Sequence, residues 1–167
     1  MKKFLLSLLM LALPLLASAQ MRFGYFSYNA VLTSMADYQL AKRSVDDLRL
    51  KYDAEMKRAE QDFNEKYEEF LEVQRDLVPS ILRKRQTELQ EMMEKNVAFK
   101  KDAEQLLKQA ENDAYEPVRR KLNEAVGRVG RERGYAFVIN TDNDACPYVN
   151  PEMGEDATEA IKEKIKN

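Results

Sequence analysis

The apolar residues of this chain recur in steps of three, four and four along two long stretches. That rhythm restricts the chain to a pair of long helices. In the first stretch, 37–78, the positions are Val45, Leu48, Tyr52, Met56, Ala59, Phe63, Tyr67 and Phe70. In the second, 80–133, they are Met92, Asn96, Phe99, Ala103, Leu107, Ala110, Ala114 and Val118, followed by Ala125 and Val129. An eleven-residue period is about 3.67 residues per turn, so the seam runs nearly straight or winds slightly right-handed. Neither glycine nor proline interrupts the first stretch. At 1.5 Å per residue, an arm of about 40–50 residues reaches about 60–80 Å. Such helices are several times the usual length, and they predict a coiled-coil hairpin rather than a globule.

The hairpin is expected to reverse at its tip, 76–82. Pro79 disfavours the helical conformation at Val78, and Ser80 is placed to cap the returning helix. Pro117, inside the second helix, removes a backbone hydrogen bond and crowds the preceding turn, which predicts a kink and a hinge. Gly134 suits the left-handed residue just past a helix, and Arg131 and Arg133 suit its negative end.

Short strands surround this hairpin. Phe23-Gly-Tyr-Phe-Ser-Tyr28 and Tyr135-Ala-Phe-Val-Ile-Asn140 read as strands, and Pro147-Tyr-Val-Asn150 as a third. Asn29 is placed to cap a helical turn over 30–33. Residues 155–166 space Ala157, Ala160, Ile161 and Ile165 as an amphipathic helix. The expected fold class is therefore α+β, mainly α. A long antiparallel coiled-coil hairpin, 37–133, stands on a small β-rich base built from 20–36 and 134–167. The base has too few residues for a self-sufficient core. Its apolar strands are expected to pair with other copies through Phe23, Tyr25, Phe26, Phe137, Val138, Ile139 and Tyr148.

The first nineteen residues read as a leader. Lys2 and Lys3 precede an apolar run over 4–16, and Ala17-Ser-Ala19 matches a cleavage site, so the exported chain begins at about Gln20. The run is too short to span a bilayer. Removing the leader leaves 25 basic against 29 acidic residues, a net charge of −4. That balance is too acidic for a general nucleic-acid binder. A single cysteine, Cys146, permits no internal disulfide; it reads as a small packing residue, with a bridge between chains as the alternative.

The chemistry of catalysis is missing. The chain has no histidine, so neither a His-based acid–base pair nor a His metal site can form. Cys146 lacks a His partner, and the five glycines form no phosphate-cradling loop. We expect no enzyme, no cofactor and no metal. Two surfaces are left. One is a basic tip: Arg75, Arg83, Lys84 and Arg85 outweigh Asp76 and Glu88 there, and 119–133 is basic too, whereas 46–69 is acidic. Basic regions of this kind attract acidic partners or an anionic membrane surface. The other is apolar excess. Met93, Val97, Tyr115, Leu122 and Val126 fall about a quarter-turn from the seam, with Leu71 and Val73 beside it near the tip. Exposed apolar side chains, flexible methionines among them, suit loose and varied contacts.

Several stretches together resemble the Skp/OmpH family of periplasmic chaperones for outer-membrane proteins. Phe23-Gly-Tyr-Phe-Ser-Tyr-Asn-Ala-Val-Leu32 is similar to that family's first strand and following turn. Arg83-Lys-Arg-Gln-Thr-Glu-Leu-Gln90 is similar to its returning arm. Gly134-Tyr-Ala-Phe-Val-Ile-Asn140, Ala145-Cys-Pro-Tyr-Val-Asn-Pro151 and Asp156-Ala-Thr158 are similar to its later strands and last helix. The resemblance implies a periplasmic homotrimer whose arms enclose a cavity and hold unfolded outer-membrane barrels without ATP. The best-known members are strongly basic, whereas this exported chain is acidic with local basic regions. The competing expectation is an envelope coiled coil that binds one folded partner through its tip.

Overall fold

The computed structural model describes residues 21–166; the leader lies outside the described residues. The chain is mainly helical with one small sheet, the α+β class expected. In order, its elements are β1 (Phe23–Phe26), α1 (Tyr28–Ser34), α2 (Ala36–Val73), α3 (Pro79–Arg133), β2 (Val138–Asn140), β3 (Gly154–Asp156) and α4 (Thr158–Lys166). They fall into two compact units. One is Ala36–Pro117, and the other combines the residues up to Met35 with those from Val118 onward.

In the first unit, α2 and the incoming part of α3 zip along the predicted seam. Val45 and Ala103 are buried, and Leu48, Tyr52, Met56, Phe63, Phe99 and Leu107 are half-buried. Rings meet across it: Tyr38 stacks on Tyr115 at 5.4 Å between centroids, and Tyr52 tilts against Phe99 at 6.2 Å. The reversal falls earlier than expected, over 74–78. Helix α2 stops at Val73, and Pro79 itself opens α3, at the position where a missing N–H costs nothing. The Val78 carbonyl accepts from the N–H groups of Ile81 and Leu82, so the backbone at Val78 begins the helix and Ser80 is not the cap.

The second unit is a three-stranded parallel sheet in the order β2-β1-β3 with helical segments packed on it. Gly24 pairs with Val138 on one side and with Glu155 on the other. Alternation turns Gly24 and Phe26 inward. The core joins Phe26, Val31 and Met35 to Val118, Leu122, Ala125 and Val129, with Ala157 and Ile161 from the chain's end. Glycine is required at Gly24 because the Tyr135 ring lies where a Cβ would stand, 2.7 Å away.

Local chemistry corrects three boundaries. Ser27, not Asn29, caps α1, its hydroxyl accepting from the Ala30 N–H at 3.0 Å. The predicted strand 147–150 is absent, and β3 forms at Gly154–Asp156 instead. Pro147 and Pro151 bracket that segment without N–H donors. The Asn150 carbonyl accepts from the Met153 and Gly154 N–H groups, which makes a turn there. The last helix begins at Thr158, because Glu155 and Asp156 are spent in the strand and the Asp156 carboxylate accepts from the Thr158 N–H. Helix α3 runs through Pro117 to Arg133. It ends with Gly134 at φ +66°. The Tyr135 N–H reaches the Gly130 carbonyl at 2.9 Å and the Gly134 N–H the Arg131 carbonyl at 3.3 Å, a left-handed helix stop.

Candidate functional site

The arm carries apolar side chains that its own seam does not cover. Leu71 and Val73 near the turn of α2, and Met93 and Val97 on α3, are exposed; Val97 is 66% open. Leu40, Leu50 and Leu106 add to them. The exposed set arises because a two-helix seam buries one narrow stripe of each helix, so apolar residues a quarter-turn away stay wet. Three residues expected on that open stripe do not belong to it, and Val126 is one, half-buried on α3. Leu122 is fully buried, 0% exposed, because α3 by then packs into the core of the sheet unit. Tyr115 is half-buried, its ring stacked on Tyr38 inside the arm. Burial pushes the Tyr115 hydroxyl above the usual tyrosine range, with the neighbouring Tyr38 adding to it.

At the turn the basic residues divide. Arg75 and Arg83 are exposed and extend into solvent. Lys84 and Arg85 both lean on Glu88, at 3.6 and 3.3 Å. Beside them Val78 and Ile81 are exposed too, so the turn is as apolar as it is basic.

A cleft of about 670 Å³ opens along the arm next to this turn. Phe70, Leu89 and Met92 form its floor, and Val73 its edge. None of the expected binding residues except Val73 and Arg85 lines it. The floor residues are seam positions, and spacing alone marks them only as core.

In the sheet unit the residues expected to mediate assembly separate by orientation. Phe26 is 4% exposed and belongs to the chain's own core, because alternation along β1 turns it inward. Phe23 stacks on Phe137 at 5.4 Å, and Phe137 is 47% open. Tyr148 is exposed in the loop before β3. Tyr25, Val138 and Ile139 are half-buried. Phe137 precedes β2 rather than sitting within it, although its carbonyl accepts from the Gly24 N–H. Cys146 is half-buried, its thiol 3.3 Å from the Tyr148 carbonyl.

Two polar clusters hold this unit together, neither anticipated from the sequence. The Asp142 carboxylate accepts from the Ser27 hydroxyl at 2.6 Å and from the Asn29 N–H at 2.8 Å. These bonds hold it below the usual carboxylate range, the Ser27 hydroxyl most of all. Glu155 pairs with Arg133 and, at 3.1 Å, with Arg22. The Tyr135 hydroxyl, then Arg133 and Arg22, hold Glu155 low; that hydroxyl is buried beside it but short of full hydrogen-bond geometry. Among the described residues no group of three or more His, Cys, Asp or Glu side chains is arranged to hold a metal ion. No helix of the described residues is long and apolar enough to cross a membrane.

Known proteins place this architecture. A candidate OmpH-like outer membrane chaperone from Caulobacter crescentus CB15 has a crystal structure similar to this one, with a TM-score of 0.68 over 86% of this chain and 82% of that one. Its identity of 14% makes this a likeness of fold. No curated protein matches the chain. The profile of the family described as Outer membrane protein (OmpH-like) matches residues 22–165, nearly every described residue from β1 to α4. The chain belongs to the OmpH-like family.

Proposed function

We propose that this protein is an ATP-independent periplasmic holdase that binds unfolded outer-membrane barrels along its helical arm. A general chaperone role fits the family and the fold. The observation that supports the finer reading is the exposure of Leu71, Val73, Met93 and Val97 on a helix pair whose seam buries other apolar residues. Exposed apolar side chains that gather into a patch mark binding surfaces. Each contact contributes under about 1 kcal/mol, and holding comes from many at once.

In this reading residues 37–133 are the binding arm, and the β-rich remainder, without its leader, is the assembly part. Three copies would join through Phe137, Tyr148 and the outer edges of β2 and β3, with clients held between the arms. Pro117 would be the hinge that adapts them to client size. The basic, apolar turn would touch an anionic membrane surface transiently. The test is dilution of a urea-unfolded outer-membrane barrel into the exported chain without nucleotide. Suppression of light scattering at stoichiometric amounts is expected; no suppression at any ratio overturns the reading.

A further inference from the structure

The cleft beside the turn has a chemistry of its own. Its floor is apolar: Phe70, Leu89 and Met92, with Val73 at the edge. Carboxylates crowd its walls, with Glu69 and Glu72 on α2 and Glu88 and Glu91 on α3. Glu88 is engaged by Lys84 and Arg85. The arm's ion pairs and hydrogen bonds leave Glu69, Glu72 and Glu91 without a cation, and all three are exposed. Lys66 on α2 and Lys95 on α3 are the lining residues of each helix furthest from the turn. An apolar trough with unneutralised carboxylates repels a fatty acid or an acidic headgroup, and it complements an apolar group flanked by cations. About 670 Å³ lies within the usual range of a ligand site. Methionine and phenylalanine at the floor favour an aromatic guest, through sulfur–ring and ring–ring contact.

We propose that this cleft docks one aromatic side chain of an extended segment whose neighbours are lysine or arginine. The assignment rests on the client-binding reading of the arm and makes it specific. Barrel strands alternate apolar and polar residues and carry aromatic girdles, so an unfolded barrel presents segments of this kind. The guest's ring lies on Phe70 and Met92, and its flanking cations meet Glu69 and Glu91. Lys66 and Lys95 take an acidic residue further along the segment.

The chain contains no tryptophan, so a tryptophan probe reports without background. Two ten-residue peptides serve, each with one central tryptophan, flanked by lysines in one and by glutamates in the other. With the exported chain at low ionic strength, the lysine peptide is expected to shift its emission to the blue. It should bind at least about tenfold tighter than the glutamate peptide. The double variant Glu69→Gln/Glu91→Gln should erase that preference, and Glu60→Gln/Glu104→Gln should leave it. Equal binding of the two peptides, binding of neither, or a preference that survives in Glu69→Gln/Glu91→Gln overturns the proposal. A chain that suppresses barrel aggregation yet binds neither peptide sinks the cleft alone. A chain that binds the lysine peptide and suppresses nothing supports the cleft and sinks the holdase.

Discussion

The Asn96 side chain reaches across the arm and donates to the main-chain carbonyl of Ala59 at 3.1 Å. It is the one polar member of an otherwise apolar seam, and it ties α3 to the backbone of α2 at a single level. A polar seam residue of this kind fixes register at a cost in stability. We therefore expect Asn96→Ala to lower stability by about 1 kcal/mol, the net value of a neutral hydrogen bond. Asn96→Leu should hold or raise the melting temperature while allowing the helices to slip. Thermal unfolding gives the first quantity, and the spread of spin-label distances between α2 and α3 gives the second. A single narrow distance in Asn96→Leu would rule out a register role.

Leu122 and Val97 lie on one predicted stripe, yet their environments are opposite. Leu122→Ala opens a cavity in a closed core and is expected to cost about 2–5 kcal/mol. Val97→Ala removes a side chain already in water and should stay within about 0.5 kcal/mol. Urea midpoints of the two variants decide this, and equal midpoints would contradict the burial described for Leu122.

The Asp142 clamp carries a pH dependence with a definite sign. Its carboxyl is held below the ordinary aspartate range in the folded chain, so the unfolded chain takes up a proton first as acid is added. The clamp's contribution is complete above the ordinary aspartate value and fades as pH falls through the lower folded one. Asp142→Asn should lower the urea midpoint near neutrality and narrow its difference from the parent at about pH 3. A difference that widens in acid would refute the clamp.

Assembly can be separated from folding at Phe137. Its ring covers Phe23 on one face and is open on the other. Phe137→Asp would bury an unpaired charge at any contact made there. It is expected to reduce the mass measured by light scattering to that of one chain, with helicity unchanged. A mass equal to the parent's, with native helicity, would exclude Phe137 from the contact.

Client holding by many weak contacts predicts tolerance of single changes. Met93→Asp or Val97→Asp alone should weaken suppression less than about fivefold, the ratio that corresponds to about 1 kcal/mol. The two combined with Leu71→Asp should weaken it far more. If either single change abolished suppression, a narrow partner site would replace the holdase reading.

The arm was legible because a rhythm repeated over tens of residues outweighs any local ambiguity; Val45, Ala103, Val118 and Val129 are buried as that rhythm requires. The sheet was only half legible. Its strands are three or four residues long, and their limits depend on which backbone groups a distant partner leaves free. Gly154 illustrates this: the Phe23 ring and Val149 close around it, where a Cβ would meet both within 3 Å. Nothing in its neighbours along the chain announces that contact. The Asp142 clamp was hidden for the same reason, since Ser27 and Asp142 are 115 residues apart. The cleft was missed because Phe70, Leu89 and Met92 are periodic like any core residue. Spacing says which side chains face a partner helix, not where the two helices draw apart.

The sheet has a temporal consequence. β1, the first strand made, lies in the middle, and both of its neighbours come from the last thirty residues of the chain. The arm closes through contacts that begin at its own bend, so it can zip while the C-terminus is still being delivered. Phe23–Phe26 must wait unpaired until Val138–Asn140 and Gly154–Asp156 emerge. A polypeptide halted before them would own a finished rod and an orphaned first strand. Delivery of β3 is thus what leaves β1 paired on both sides.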